Sequence, residues 1–296
     1  MLKLPISVSD AVFMQLFLRK GKKMDITQRA DAVVISDFGE INLDMTLDCG
    51  QAFRWSRQPD GKWRGTACGR TIDITQKNSE LYIYGSNEED AQKIWADYFD
   101  LKRDYGKIIT AFKNDAHVCG AIERHGTVRI LNQEPWEALC SFIISACNNI
   151  PRIKGIVSRM CDNFGERLPD GSFAFPSPEV IAGKTEDELS VLRAGYRVPF
   201  ILDAARAVCS GDIDLESVRE LTEADARRTL MRIKGVGRKV ADCTMLFSLG
   251  FSSVFPVDRH IQRACGEIYP DGLPDCFDAF YGLAQQYIFI AQLESK

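Results

Sequence analysis

The hydrophobic period of this chain changes once, near Asn87, and that change limits it to an architecture in which a sheet comes first and helices follow. Between about Asp31 and Tyr84 apolar residues alternate in short runs: Val33 with Ile35, Ile41-Asn42-Leu43, Phe53-Arg54-Trp55, Ile72-Asp73-Ile74 and Leu81-Tyr82-Ile83-Tyr84. Pro59-Asp60-Gly61 and Gly69 separate the runs, so they are expected to pair as an antiparallel sheet. Beyond Asn87, Ile94, Trp95, Tyr98 and Phe99 recur at helical spacing. Pro135 suits the first turn of a helix running to about Cys147, and Thr185 with Glu188 has the spacing of a capping box ahead of Leu189 and Leu192. The expected fold class is therefore α+β, with a sheet domain over residues 24–113 and a helical region over 114–296.

With 45% hydrophobic and 26% charged residues over 296 positions, the chain has the composition of a soluble globular protein with two or three units. Its ten cysteines form no CxxC pair, and several sit in apolar helical runs such as Ala138-Leu139-Cys140-Ser141-Phe142. They read as reduced thiols of a cytoplasmic protein rather than a disulfide framework. The three histidines, His117, His125 and His260, do not fall with cysteines at zinc-site spacing, so neither a metal nor a cofactor is expected. Residues 1–23 lack the layout of a secretory signal, are too short to span a membrane, and are expected to be a poorly ordered extension with Met24 as an alternative start.

A net charge of −4 gives no hint of nucleic acid, but the local balance does. Arg227, Arg228, Arg232, Lys234, Arg238 and Lys239 follow one another with no acidic residue among them, and Arg152, Lys154 and Arg159 make a second basic group. In Ile233-Lys234-Gly235-Val236-Gly237-Arg238-Lys239 one helix is expected to end near Ile233 and another to begin near Arg238. The two glycines allow a tight turn whose amides, backed by the positive end of the second helix, suit a DNA phosphate. Lys239 within this hairpin and Asp258 nineteen residues later add chemistry to binding. A lysine attacks a sugar carbon only when neutral, and a helix amino terminus crowded by Lys234 and Arg238 disfavours its charged form. A nearby carboxylate can stabilise an oxocarbenium-like sugar, although an aspartate before Arg259 can equally cap a helix.

The segment Leu230 to Arg263 resembles the signature of the helix-hairpin-helix, Gly/Pro-Asp DNA glycosylase superfamily, through Gly235-Val236-Gly237-Arg238-Lys239 and Pro256-Val257-Asp258. The resemblance implies that Lys239 forms a Schiff base with the sugar and that Asp258 assists. Endonuclease III relatives carry a cysteine-ligated iron-sulfur cluster, for which Cys265 and Cys276 are too few and too widely spaced. The 8-oxoguanine branch is similar over almost the whole chain, including Gly50-Gln51-Ala52-Phe53-Arg54-Trp55, and implies a TBP-like sheet domain followed by a two-lobed helical domain. It implies that the Gly50 carbonyl meets the N7 proton peculiar to 8-oxoguanine. It also implies that Cys243 and Phe289 cover the faces of a flipped base and that Gln285 binds its edge. Further along, Cys147-Asn148-Asn149-Ile150-Pro151-Arg152 resembles the family's Asn-Asn-Asn-Ile-x-Arg, and Gly195-Tyr196-Arg197 its Gly-Tyr-Arg. By that likeness Asn149 lies at the DNA near the lesion, Tyr196 wedges into the stack, and Arg152 and Arg197 read the orphaned cytosine. Gly235, Gly237, Arg238 and His260 complete the expected DNA contacts. Cys147 departs from the family's first asparagine, and strictness for cytosine is expected to relax accordingly.

The expected function is thus a bifunctional glycosylase and abasic-site lyase acting as a monomer on double-stranded DNA containing 8-oxoguanine, without a membrane, and nucleoid-associated in a bacterium or nuclear in a eukaryote. A glycosylase for another damaged base, or a non-catalytic scaffold gripping DNA through the hairpin, are the competing readings. The scaffold leaves Lys239 and Asp258 without a purpose.

Overall fold

The structure, a computed structural model, describes residues 24–294. The extension expected over 1–23 lies outside the described residues. Six strands, β1 (Asp25–Arg29), β2 (Ala32–Ser36), β3 (Trp55–Arg57), β4 (Trp63–Ala67), β5 (Arg70–Lys77) and β6 (Glu80–Tyr84), form a sheet in the order β1-β2-β6-β5-β4-β3. Helices of six or more residues are α1 (Leu43–Asp48), α2 (Tyr105–Phe112), α3 (Ala116–His125), α4 (Pro135–Ser145), α5 (Ile150–Phe164), α6 (Val198–Cys209), α7 (Glu223–Leu230), α8 (Arg238–Ser248), α9 (Arg259–Ile268) and α10 (Tyr281–Glu294). Among the described residues no helix is long and apolar enough to cross a membrane.

Compactness divides the chain differently from its sequential order. Among the described residues, one unit comprises those up to Cys49, Thr75–Leu131 and those from Ser252 onward; the other comprises Gly50–Ile74 and Asn132–Phe251. In the first unit β2 lies between β1 and β6, with Val33, Ile35, Leu81 and Ile83 fully buried. Arg129, fully buried, ties three segments of this unit together by donating to the carbonyls of Phe38, Glu40 and Asp100. In the second unit β3 pairs with β4 and β4 with β5, and Gly65 leaves room for the Trp55 indole: a Cβ there would come within 2.2 Å of the ring.

Two stretches expected to extend as strands do not. Ile41-Asn42-Leu43 opens α1 instead, because the Asn42 side chain accepts the Met45 amide at 3.0 Å and donates to the His125 carbonyl at 2.7 Å, forming an amino-terminal cap. Phe53-Arg54 precedes β3, which begins only at Trp55. The predicted helical elements hold: α4 starts at Pro135 and ends at Ser145, and Thr185 with Glu188 forms a complete capping box on the short helix Glu186–Leu189.

Candidate active site and DNA interface

The hairpin forms much as its glycines dictate. α7 stops at Leu230, three residues before the expected end, and turns carry the chain through Ile233 to α8 at Arg238. Gly235 has φ +83°, and a Cβ there would lie 2.3 Å from the Phe200 ring of α6, so both conformation and space require glycine. Gly237 is different: it caps α8 with extended backbone at φ −87°, and a Cβ on it would meet nothing. The Asp203 carboxylate accepts the Lys234 amide at 2.8 Å and fixes the turn to α6. The basic run is partly neutralised by acids from its own helices. Arg227 pairs with Glu223 at 2.8 Å and with buried Asp242 at 2.5 Å, Arg228 pairs with Asp225, and Arg238 lies 3.6 Å from Asp242. Burial raises the Asp242 carboxyl above its ordinary value, with Arg227 opposing.

Lys239, half-buried, stands in the first turn of α8. Its Nζ donates to Ser145 Oγ at 3.0 Å and sits 5.4 Å from the centre of the Phe142 ring. Ser145 and Phe142 belong to α4, more than ninety residues away in sequence, and Ser145 is absent from the site foreseen in the sequence. Cys243, one turn further along α8, is buried.

Gly50 adopts φ +84°, a conformation that suits glycine, and the following Gln51 is fully buried with its carbonyl accepting from Gln133 Nε2 at 2.6 Å. Phe53 packs T-shaped against Phe142, with ring centroids 6.0 Å apart. Arg54 bonds the Phe173 carbonyl and pairs with Glu137 of α4 at 3.3 Å, both side chains about nine-tenths buried. Burial pushes the Glu137 carboxyl up to about 7, against the pull of Arg54. The Gly50–Trp55 segment is thus fastened to α4, the helix that also seats the Lys239 amine.

At the other end of α4 the chain turns through Cys147, held at φ +50°, into α5. Asn149 caps α5 by accepting the Arg152 amide at 3.0 Å, and the Arg152 side chain is exposed. Arg197 is only 2% exposed. Its guanidinium donates to the carbonyls of Ala146, Cys147 and Ala194 and stacks 4.4 Å from the Tyr196 ring. These donors, expected to face cytosine, are therefore spent on the turn that carries Cys147. Tyr196 is 57% exposed.

In the other compact unit, Asp258 caps α9 by accepting the Ile261 amide at 2.8 Å, and His260 is exposed. The capping role anticipated as the alternative is thus real, and it fixes the carboxylate in place. Along α10, Gln286 donates to the Cys49 carbonyl and Tyr287 to that of Gly126, while Gln285, buried on a neighbouring strip, keeps Oε1 without a hydrogen-bond partner among the described residues. Phe289, one turn on, is partly exposed. Among the described residues no cysteine forms a disulfide, and no cluster of metal-ligating side chains occurs.

The family model for the 8-oxoguanine DNA glycosylase N-terminal domain matches residues 33–139. A solved structure of MBOgg1 with a low-affinity DNA ligand is 36% identical, with a TM-score of 0.88 over 93% of this chain and 99% of that one. The chain belongs to the 8-oxoguanine DNA glycosylase family. A second member, the Clostridium acetobutylicum 8-oxoguanine glycosylase/lyase bound to double-stranded DNA with cytosine opposite 8-oxoguanine, is 33% identical, with a TM-score of 0.85 over 93% of this chain and 98% of that one. The Saccharomyces cerevisiae N-glycosylase/DNA lyase is 38% identical over 157 residues, which are 48% of this family member and 42% of the yeast protein.

Proposed function

We propose that this chain excises 8-oxoguanine from duplex DNA, acting as a monomer, and then cleaves the strand at the abasic site. The observation that carries the mechanism is the Lys239 amine, half-buried in the first turn of α8 directly behind the glycine hairpin. The hairpin amides at Gly235 and Gly237, with Arg238, hold the phosphate backbone, and Tyr196 fills the gap left by the flipped nucleotide. Neutral Lys239 attacks C1′ as the glycosidic bond breaks. The amine gives one proton to the departing base; the C1′–O4′ bond then opens, O4′ taking up the second N–H proton, and the resulting imine loses a C2′ proton as the 3′ phosphate departs by β-elimination. The fixed Asp258 carboxylate stabilises the positive sugar, and His260 of α9 contacts a phosphate.

Selectivity rests on the Gly50 carbonyl, which accepts the N7 proton of 8-oxoguanine, with Cys243 and Phe289 against the base faces. The unpartnered, buried Gln285 Oε1 supports a role at the base edge, since a ring N–H would satisfy an acceptor that otherwise costs about 1–3 kcal/mol. Exposed Arg152, beside Asn149, is the primary reader of the opposite cytosine. Arg197 shapes the adjoining turn and reaches cytosine only if it releases the Ala146 and Cys147 carbonyls.

The test is borohydride trapping on a duplex with 8-oxoguanine opposite cytosine, comparing the native chain with Lys239→Gln. A covalent adduct with the native chain alone is expected. Tight lesion binding without an adduct, but with free base, would leave a monofunctional glycosylase, and no free base would leave a scaffold.

A further inference from the structure

Lys239 does not hang free in front of the hairpin. Its Nζ donates to Ser145 Oγ at 3.0 Å and lies 5.4 Å from the centre of the Phe142 ring. The Ser145 hydroxyl hydrogen is already committed, because Oγ donates to the Phe142 carbonyl at 2.8 Å one turn back in α4. Serine therefore faces the lysine as an acceptor only. The Phe142 ring is rigid: it is 2% exposed, stacked on Phe247 at 5.4 Å and T-shaped against Phe53 at 6.0 Å. The negative face of an aromatic ring attracts an N–H in the same sense that it attracts a cation.

From this geometry we infer that Ser145 is a positioning residue for the nucleophile: with the Phe142 ring it forms a seat that holds the Lys239 hydrogens inward and turns the nitrogen lone pair outward. A neutral amine has two N–H groups and one lone pair in a roughly tetrahedral arrangement. With one N–H donated to Ser145 and the other turned toward the ring, the lone pair is left on the side away from α4. An unseated lysine rotates about four side-chain bonds and presents its lone pair to C1′ for only a fraction of the time. The inference rests on the reading of Lys239 as nucleophile and adds the group that aims it.

A mis-aimed lysine gives water a chance at C1′, and that is a signature a purely structural role does not produce. In single-turnover reactions on duplex containing 8-oxoguanine opposite cytosine, both borohydride-trapped adduct and free base are measured for the native chain, Ser145→Ala and Ser145→Thr. Ser145→Ala is expected to lose about tenfold in trapped adduct, the size of one hydrogen bond. Free base falls less, so the ratio of base to adduct rises, while melting temperature and affinity for duplex bearing a stable abasic analogue stay unchanged. Ser145→Thr, which keeps the acceptor, restores the native ratio. Unchanged adduct and ratio in Ser145→Ala would overturn the inference, as would a parallel fall of adduct, base and melting temperature, or a Thr variant indistinguishable from Ala. Failure of the native chain to trap at all would overturn the Lys239 reading and this inference together, whereas trapping that survives intact in Ser145→Ala sinks the inference alone.

Discussion

Gly235 and Gly237 look interchangeable in sequence but answer to different masters. Gly235 combines a left-handed backbone with a Phe200 ring that occupies the space of a Cβ, whereas the space around Gly237 is open. Gly235→Ala is therefore expected to cost about 2 kcal/mol or more of stability from backbone strain and the clash. Gly237→Ala should leave stability within about 0.5 kcal/mol, as for an unencumbered surface position, yet weaken duplex binding several-fold if a phosphate approaches this backbone. Chemical denaturation and titration of labelled duplex read the two effects separately. Equal destabilisation by both variants would mean that Gly237 is structural too. Cys147 gives a complementary case. At φ +50° it occupies a conformation that asparagine tolerates better than cysteine, and asparagine is the residue of the family's motif. Cys147→Asn should raise stability by about 0.5–1 kcal/mol, and sharpen the preference for cytosine over adenine opposite the lesion. Thermal melts and excision from the two duplexes decide it.

At the scale of elements, α4 is where the sequence segments of one unit converge. Its Glu137 holds Arg54 and its Ser145 holds Lys239, and its last residues lead into the turn gripped by Arg197. The Glu137 carboxyl is raised by burial from an ordinary 4.5 to about 7 in the folded chain, so the folded state binds a proton there that the unfolded state has released. The folded form is consequently favoured at pH 5 relative to pH 8, and this contribution is lost as pH rises from about 4.5 through about 7. By linkage it amounts to at most about 3 kcal/mol. Denaturation between pH 5 and 8 should show Glu137→Gln with a flatter pH dependence than the native chain over that window. Identical slopes would remove Glu137 as the titrating group. Asn42 shows how a local device overrules a periodic pattern. Ile41-Asn42-Leu43 alternates like a strand, yet a cap on the Met45 amide and a bond to the His125 carbonyl make helix the better use of the backbone.

For the whole molecule, the net charge of −4 coexists with a basic stretch whose arginines are partly paired with acids of the same helices. Paired arginines release fewer counterions when DNA arrives than their number suggests. The affinity for undamaged duplex should therefore fall with salt along a shallow slope set mainly by Lys234 and the second basic group at Arg152. Titrations from about 50 to 200 mM salt, with Arg152→Ala beside the native chain, should show a slope shallower by about one for the variant. An unchanged slope would mean that Arg152 neutralises no backbone phosphate. Asp258→Asn bears on the chemical step: the amide still accepts the Ile261 N–H, so folding and affinity persist, while base release should slow by at least about tenfold through loss of the charge that steadies the sugar. Release unchanged at saturating enzyme would show that the carboxylate only caps α9.

The sequence by itself determined the order of sheet and helices, the start of α4 at Pro135, the capping box at Thr185 and the hairpin that delivers Lys239. Each of these is a local matter of period, caps and turn residues, decided within a few positions of the chain. Membership of the family was legible for the same reason, since its motifs are short and contiguous. Only the tertiary structure decided what each motif residue touches. It brought Ser145 to Lys239, joined Arg54 to Glu137 and turned Arg197 inward onto the Cys147 turn, contacts between segments roughly fifty to ninety residues apart. It also drew Gly50–Ile74 out of the amino-terminal stretch into the unit that carries the hairpin. Such pairings depend on packing between elements, where burial and hydrogen-bond demand select the partner, and no local pattern of residues encodes them.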